Sequence, residues 1–568
     1  IPAGVGFCMY IRRECLAETG SFDVENFGKG YGEENDFCMR ALKADWTHLL
    51  ALDTFVRHEG GVSFGDSKKL REQEAFEKLR NIHPQYESLV QQHVAEDPAR
   101  SARLAVDVAR IRAAARPVIL FVTHARGGGT ERHVRELAEE ISDVAITLVV
   151  RPGTGGIVTI EWLSRDEEDF CLSFRLPDDF DALAEILVAL GVVHIHFHHL
   201  LGIAPEIWGL PQRLAVSFDY TAHDHYAICP QISLTGRDNR YCGEQGLDQC
   251  VACLKQSPAS HGIGIVEWRR NYRQFLRQAR HIFAPSQDAA AHLKNRFPEL
   301  DIVVVEHPDL AGITLPIPAA KPFEADRPLK IAAIGALSAI KGADLLEEVA
   351  LVAAQQNMLL EFHLLGFGYR SLATQPKAAL SVHGGYREED LAALLDWLKP
   401  DLVWFPALWP ETYSYTLSAS LKAGLPVVAP NLGAFPERLA GRAWSWVEPW
   451  DQSPTDWTIF FEHIRSRNFF KAIPPPPIPA PSFQHPTFHY RRDYVAGLCC
   501  RTGTKEISAG QLQRYAYGRL DGMGAAQAEL KRQTLATLVK LRNSRMLRGV
   551  ARHIPLRWQT RLKTWLAS

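Results

Sequence analysis

Residues 401–430, DLVWFPALWPETYSYTLSASLKAGLPVVAP, decide the fold. The apolar run Leu402 to Phe405 reads as a buried strand, followed by a Pro-bounded loop. A helix is predicted from about Ser414 to Ala423, then a second strand from Pro426 to Ala429. A strand that feeds a helix through a short loop sets the helix N-terminus at the carboxyl end of a parallel sheet. Free backbone N–H groups there can hold an anion, most simply a diphosphate. Glu411 stands just ahead of the helix, where its carboxylate can accept hydrogen bonds from ligand hydroxyls. An ordinary strand–helix unit with a chance Glu has the same local pattern.

The same grammar repeats upstream. Leu329–Ile334 is a predicted strand that ends in Gly335-Ala336-Leu337-Ser338-Ala339-Ile340-Lys341-Gly342. A lysine in such a loop is positioned to neutralise a leaving diphosphate; an exposed surface lysine is the plainer account. Glu361–Leu365 followed by Gly366-Phe367-Gly368 is a second strand with a glycine loop. Val382-His383-Gly384-Gly385-Tyr386 is a third such edge, with a helix from Glu388 and Tyr386 placed to lie near a nucleotide base.

Further upstream, Pro117–Val122 reads as a buried strand running into Thr123-His124-Ala125-Arg126-Gly127-Gly128-Gly129-Thr130, with a helix from Glu131. Gly127, Gly128 and Gly129 let backbone approach a ligand, although the spacing is not that of a dinucleotide loop. Strands are predicted at Ile146–Val150, His194–Phe197 and Leu214–Phe218, with a helix at Asp181–Leu190, which argues for a parallel, helix-covered sheet. After the last of these strands, His223-Asp224 faces the crevice. The reading is that His223 bonds a donor hydroxyl while Asp224 orients its ring; a solvated loop is the alternative. Cys229, Cys242, Cys250 and Cys253 fall close together, the last two as Cys-Val-Ala-Cys, a spacing suited to a structural zinc. Uncoordinated thiols or an Fe–S cluster remain open. A helix is predicted over Glu267–Arg280. Pro285-Ser286 then precedes a helix from Gln287 to Phe297 that Ser286 caps.

Composition bounds the rest. At 568 residues the chain needs about three domains. Apolar content of 46% and charged content of 23% describe a soluble protein, and a net charge of −2 gives no global pull to nucleic acid or membrane. No apolar run approaches the roughly 20 residues that span a bilayer, and the opening residues do not read as a signal peptide. The opening Ile1-Pro2-Ala3 without Met reads as a fragment of a longer chain. Ten scattered cysteines fit a reducing compartment.

Residues 1–95 have the rhythm strand, helix, Gly-rich loop, helix. Glu33, Glu34 and Asp36 precede or open a helix carrying Phe37, Met39 and Leu42. Helix-dipole capping accounts for such acids; the functional alternative is a base that deprotonates an acceptor hydroxyl. His58 stands among glycines at a predicted strand end, suited to a metal or a diphosphate. This stretch resembles the C-terminal half of an inverting GT-A glycosyltransferase of the rhamnosyltransferase-like kind. The resemblance implies Glu34 as base with Glu33 beside it, and His58 on the metal–diphosphate. The residues given include no nucleotide-binding half and no Asp-x-Asp motif ahead of it, so the segment is expected to be an inactive remnant whose missing half lies upstream. A divalent metal is expected only with the complete domain. Residues 96–116 read as a linker helix.

Residues 117–472 resemble a retaining GT-B glycosyltransferase of the bacterial lipopolysaccharide and capsule type. The resemblance rests on GGGTERHV, HDHYAICP, APS, IGALSAIKG, PETYSYTL and AGLPVVAP in that order. It implies an α/β fold: a GT-B arrangement of two Rossmann-like domains (117–320 acceptor, 321–472 donor), preceded by the partial GT-A segment and followed by a basic helical tail. The implied roles put Gly128 and Gly129 at the acceptor–phosphate face, His223 on the donor sugar, Lys341 on the diphosphate and Glu411 on sugar hydroxyls. Gly335, Ser338, Gly366, Tyr386, Ser414, Tyr415 and Thr416 complete the donor site. Two positions depart from the family: Ser338 stands where many members have Arg, and Ala419 replaces the Glu that grips the ribose. The family needs no metal cofactor, and its proposed route is front-face attack with the acceptor proton passing to the departing phosphate.

The tail, 473–568, opens with a Pro-rich spacer. Phe488 to Tyr494 is expected to begin a helix that packs back on the core. Basic positions from Lys531 to Lys563 alternate with apolar ones, which suits an anionic membrane surface; folding back onto an acidic neighbour, or disorder, is the plainer account. The expectation is a cytoplasmic sugar-nucleotide transferase, peripheral on the inner face of the membrane, acting on a polysaccharide or lipid-linked glycan. A catalytically weakened scaffold that binds carbohydrate or partner transferases is the alternative. An epimerase or phosphorylase ranks third.

Overall fold

The computed structural model describes residues 1–27, 32–51, 54–57, 68–163, 170–244, 246–259, 262–319, 323–479, 488–501 and 506–516. His58 and the basic positions from Lys531 to Lys563 lie outside them. The chain divides into two compact units: residues 1–109 with 507–516, and residues 110–506.

The first unit is helical among the described residues, with Arg13–Thr19, Val24–Phe27, Glu33–Lys43, Lys68–Ile82 and Tyr86–Glu96 in sequence. Among the described residues, the strands expected ahead of the first helix and at 54–57 do not form. A strand is stable only beside another strand, and the described residues of this unit offer only helices. Small apolar clusters hold it together, one of Cys15, Phe37 and Ala41 and another of Phe27, Ala75 and Leu79.

The second unit carries two sheets. The first comprises β1 (Val118–Val122), β2 (Ile146–Pro152), β3 (Ile157–Trp162), β4 (Cys171–Arg175), β5 (Val192–Phe197), β6 (Ser217–Thr221), β7 (Ile282–Ala284) and β8 (Val303–Val304), in the order β4-β3-β2-β1-β5-β6-β7-β8. From β2 through β8 its pairs are parallel, as the sequence predicts. The antiparallel edge β2-β3-β4 is an addition to that expectation. The strand expected at Leu214–Phe218 starts later, at Ser217, because Leu210–Leu214 closes a short helix.

The second sheet comprises β9 (Leu329–Leu337), β10 (Leu360–Gly368), β11 (Leu380–Val382), β12 (Leu402–Trp404), β13 (Val427–Pro430) and β14 (Ser445–Glu448), in the order β11-β10-β9-β12-β13-β14 and parallel throughout. Its strands are apolar on both faces. Ile331, Ala333, Leu402, Trp404 and Val428 enter one core, while Ala332, Ile334, Val403, Val427 and Ala429 enter the other. Alternation at period two sends successive side chains to opposite layers, so each face needs its own helices. The result is two Rossmann-like α/β lobes with the crevice at the carboxyl ends of the strands.

After the second sheet the Pro-rich segment runs along its own lobe. Ile478 packs on that core, and Gly441 N–H donates to Ile478 O at 2.8 Å. A wide helical turn, Tyr490–Tyr494, then returns to the first lobe, where both tyrosines are buried with Ile119, Phe121 and Phe283. The packing back of this segment follows the sequence expectation. Among the described residues no helix is long and apolar enough to cross a membrane.

Two glycines fix the loops that meet at the crevice. Gly366 has φ +136°, and a Cβ there would lie 2.0 Å from Gly335 O on the paired strand. Gly342 has φ +82°, and its Cβ would meet Pro406 O at 1.9 Å. Gly342→Ala is therefore expected to cost about 3 kcal/mol through combined strain and overpacking, read as a lowered denaturant midpoint with unchanged slope.

Candidate active site

The organising stretch folds as β12, a loop over 405–414, the helix Tyr415–Lys422 and β13. Ser414 precedes the helix with φ +77° and makes no side-chain cap. Side-chain caps occur on two helices of this unit, where Ser286 accepts from Ala289 N–H and Ser453 forms a capping box with Asp456; most of its other helices, like this one, start without a side-chain cap. The uncapped start leaves first-turn N–H groups for an anion at the crevice.

Anchors from both lobes hold that loop. His225 Nε2 contacts Pro410 O at 3.0 Å, and Thr412 Oγ1 donates to His223 O at 2.5 Å. Ala434 N–H donates to Glu411 O at 2.8 Å. Arg438 donates to Tyr413 O at 2.8 Å and Ser414 O at 2.9 Å, with its guanidinium 3.8 Å from the Tyr413 ring centroid. Glu411 is thereby held nearly buried.

Lys341 arrives from the loop after β9. Ser338 O accepts from Lys341 N–H at 3.1 Å and from Ala343 N–H at 3.1 Å, and Leu408 N–H donates to Ile340 O at 2.9 Å. Ser338 thus shapes the turn, and Lys341 Nζ lies 3.9 Å from Glu411 Oε1. The Lys341 side chain is 45% exposed and that of Glu411 11%. A half-exposed pair of this length is worth little to stability, so its two charges remain available to a ligand.

Gly335 lies against the helix start, a Cβ there meeting Thr416 at 3.6 Å, and Gly129 faces Tyr415 in the same way at 3.4 Å. Gly127 and Gly128 face open space. Tyr415 donates to Glu136 at 2.8 Å beneath the Arg132 guanidinium, and Arg132 also pairs with Glu388 of the other lobe. A cleft of about 780 Å³ runs along this helix, lined by Arg132, Tyr386, Glu388, Tyr415, Thr416 and Ala419 among others. Lys341 and Glu411 are not in its lining.

His223 is nearly buried, with its Nε2 3.1 Å from His198 Nδ1. Asp224 does not orient it: the Asp224 carboxylate contacts His199 Nε2 at 2.8 Å and accepts from Tyr226 N–H. Adjacent residues at a strand end point in opposite directions, which the sequence reading of a His–Asp couple overlooked. Burial is the main reason that His133 is lowered to about 3 and His124 to about 4.

Sequence reasoning missed the histidines of β5 and its end. His194, His196 and His198 occupy one face at period two, visible as the pattern H-I-H-F-H. His194 contacts Asp219 and Ser217, and His196 contacts Thr221 and Tyr494. His198 ends the row against His133 and His223. Among the described residues, none is a hydrogen-bond partner to either nitrogen of His133, either of His307 or His198 Nε2. Each unpaired buried polar group costs about 1–3 kcal/mol.

Among the described residues, the group bringing three ligand atoms within 4.8 Å of one another is His133, His198 and His223, and no cysteine joins such a group. Burial pushes the Cys229 thiol up to about 11, and Cys250 Sγ instead accepts from Arg269 at 3.5 Å. Sequence spacing does not determine how a loop of irregular backbone aims its side chains.

In the first unit, Glu33 and Glu34 open the helix Glu33–Lys43, and burial raises Glu33. Asp36 is buried and structural, contacting His83 Nε2 at 2.8 Å and accepting from Arg40 Nε at 2.8 Å.

No protein-family model and no curated protein matches the sequence. Among solved structures, the chain aligns with Anabaena HepE in complex with UDP and glucose at 13% identity, covering 63% of this chain and 92% of that one, with a TM-score of 0.40. Sucrose-phosphate synthase from Thermosynechococcus elongatus aligns at 13% identity over 74% and 100%, TM-score 0.39. The lipopolysaccharide outer core galactosyltransferase WaaB aligns at 12% identity over 61% and 90%, TM-score 0.41.

His292, whose ring packs on His225, gives the site's surroundings a pH signature. Burial opposes its charge, but Asp288 and Glu244 outweigh burial and raise it to about 9. A raised folded value stabilises fully below the unfolded value near 6.5, and the gain is lost as pH rises through about 9. His292→Gln should therefore lower stability on the order of 2 kcal/mol at pH 6 and far less at pH 10, as read by denaturant midpoints at both.

Proposed function

We propose that the chain transfers a sugar from a nucleotide-sugar donor to a polysaccharide or lipid-linked glycan, with retention at the anomeric carbon. The observation that carries this is the Lys341 ammonium 3.9 Å from the Glu411 carboxylate, at the carboxyl ends of a parallel sheet and beside an uncapped helix start.

The ammonium and the helix N–H groups would stabilise charge developing on the departing diphosphate. The carboxylate, fixed by its loop, would orient sugar hydroxyls. The bond from the anomeric carbon to the diphosphate breaks as the acceptor oxygen bonds that carbon from the same face. The acceptor proton leaves on the diphosphate. No protein nucleophile and no metal are required. The base and ribose would lie toward Tyr386 and Ala419, and the acceptor toward Gly127, Gly128 and Gly129. Cell-surface polysaccharide synthesis and peripheral membrane contact through the basic tail extend the same reading.

Ala419 favours a second reading. It lines the cleft with a methyl group where a ribose-gripping carboxylate is expected, which suits a carbohydrate-binding scaffold. A panel of UDP-, GDP-, ADP- and dTDP-sugars separates the two. Transfer or hydrolysis is expected from at least one, falling about 10²- to 10³-fold in both Lys341→Ala and Glu411→Ala. Full turnover in both variants removes the proposed site, and a raised melting temperature without turnover selects the scaffold.

A further inference from the structure

Four histidines meet under the crevice of the first lobe, each from a different element. His133 lies on the helix Gly129–Glu140, His198 just past β5, His223 just past β6 and His307 past β8. All are nine-tenths or more buried. His198 and His223 approach to 3.1 Å between ring nitrogens, close to the separation of about 3.3 Å between two imidazoles sharing a tetrahedral zinc at 2.0–2.1 Å. His133 brings a third nitrogen within 4.8 Å of both. The His307 ring centroid lies 4.2 Å from that of His133.

A satisfied core histidine has partners, as His194 and His196 on the same strand face do. Among the described residues nothing partners either nitrogen of His133, either of His307 or Nε2 of His198, while Nδ1 of His198 and Nε2 of His223 bond only to each other, a contact that an ion between them would replace. Buried donors and acceptors without partners mark a missing ligand, and imidazole alone, with no carboxylate in the group, suits zinc, copper or nickel over magnesium or calcium.

We propose that His133, His198 and His223, with His307 beside them, bind one divalent transition-metal ion, zinc by donor type. Neutral imidazole is the form that ligates. The ion would sit behind the loop that carries Glu411, since His223 O accepts from Thr412 and the His307 ring lies 4.2 Å from that of Tyr413. It would lock the first lobe's strand ends to that loop and take no part in bond breaking.

The test is metal content of the full chain, dialysed against Zn²⁺ and passed through gel filtration. One Zn²⁺ per chain is expected, with a melting temperature about 5 °C above that of EDTA-treated protein at a hundredfold excess over Kd. Co²⁺ in its place should show visible d–d bands without the near-ultraviolet thiolate band that cysteine ligands give. His133→Phe and His198→Phe keep an aromatic ring and should abolish binding, with folding checked by circular dichroism. If neither variant folds, the Co²⁺ spectrum of the unaltered chain decides. The proposal is overturned by no retained metal, by a thiolate band at one metal per chain, or by Zn²⁺ retained in folded His133→Phe.

Discussion

The loop between β12 and the helix Tyr415–Lys422 is the constraint on which the rest of the second unit depends. It is a short piece of irregular chain with polar backbone, much of it buried, and such chain survives only when its groups find partners. Here the partners come from both sheets: His225 and His223 from one, Arg438 and Ala434 N–H from the other. A loop satisfied from two directions cannot shift without breaking bonds in each lobe. Glu411 therefore has a defined position relative to Lys341 before any ligand arrives, which is what preorganisation requires.

Much of this architecture was legible in the sequence, for reasons that differ by element. The strand–loop–helix–strand of residues 401–430 is marked by apolar runs, prolines and a helical period that agree with one another. Ser286 ahead of its helix is a local signal, and it caps as expected. Loop glycines carry steric information of the same local kind, and Gly366 against Gly335 O shows why. The antiparallel edge was less legible. Ile157–Trp162 and Cys171–Arg175 are short strands, and which edge they join depends on pairing far along the chain.

Side-chain partnerships were the least legible. Asp224 follows His223 in sequence but serves His199, because a strand end turns neighbours apart. Asp36 reads as part of an acidic patch yet is consumed by Arg40 and His83, the latter 47 residues away. The four cysteines are close in number, while the histidines that do converge come from four separate elements and are scattered from 133 to 307. Convergence of that sort follows from topology: parallel strands bring their carboxyl ends to one rim, whatever their distance in sequence.

The return of Tyr490 and Tyr494 to the core around Phe121 and Phe283 has a consequence for how the molecule is made. The first lobe is not a contiguous stretch of gene. Its last aromatic layer emerges from the ribosome only after the whole second lobe has been synthesised. Until then the nascent first lobe lacks part of its core, so that core cannot be completed before the second lobe has been made.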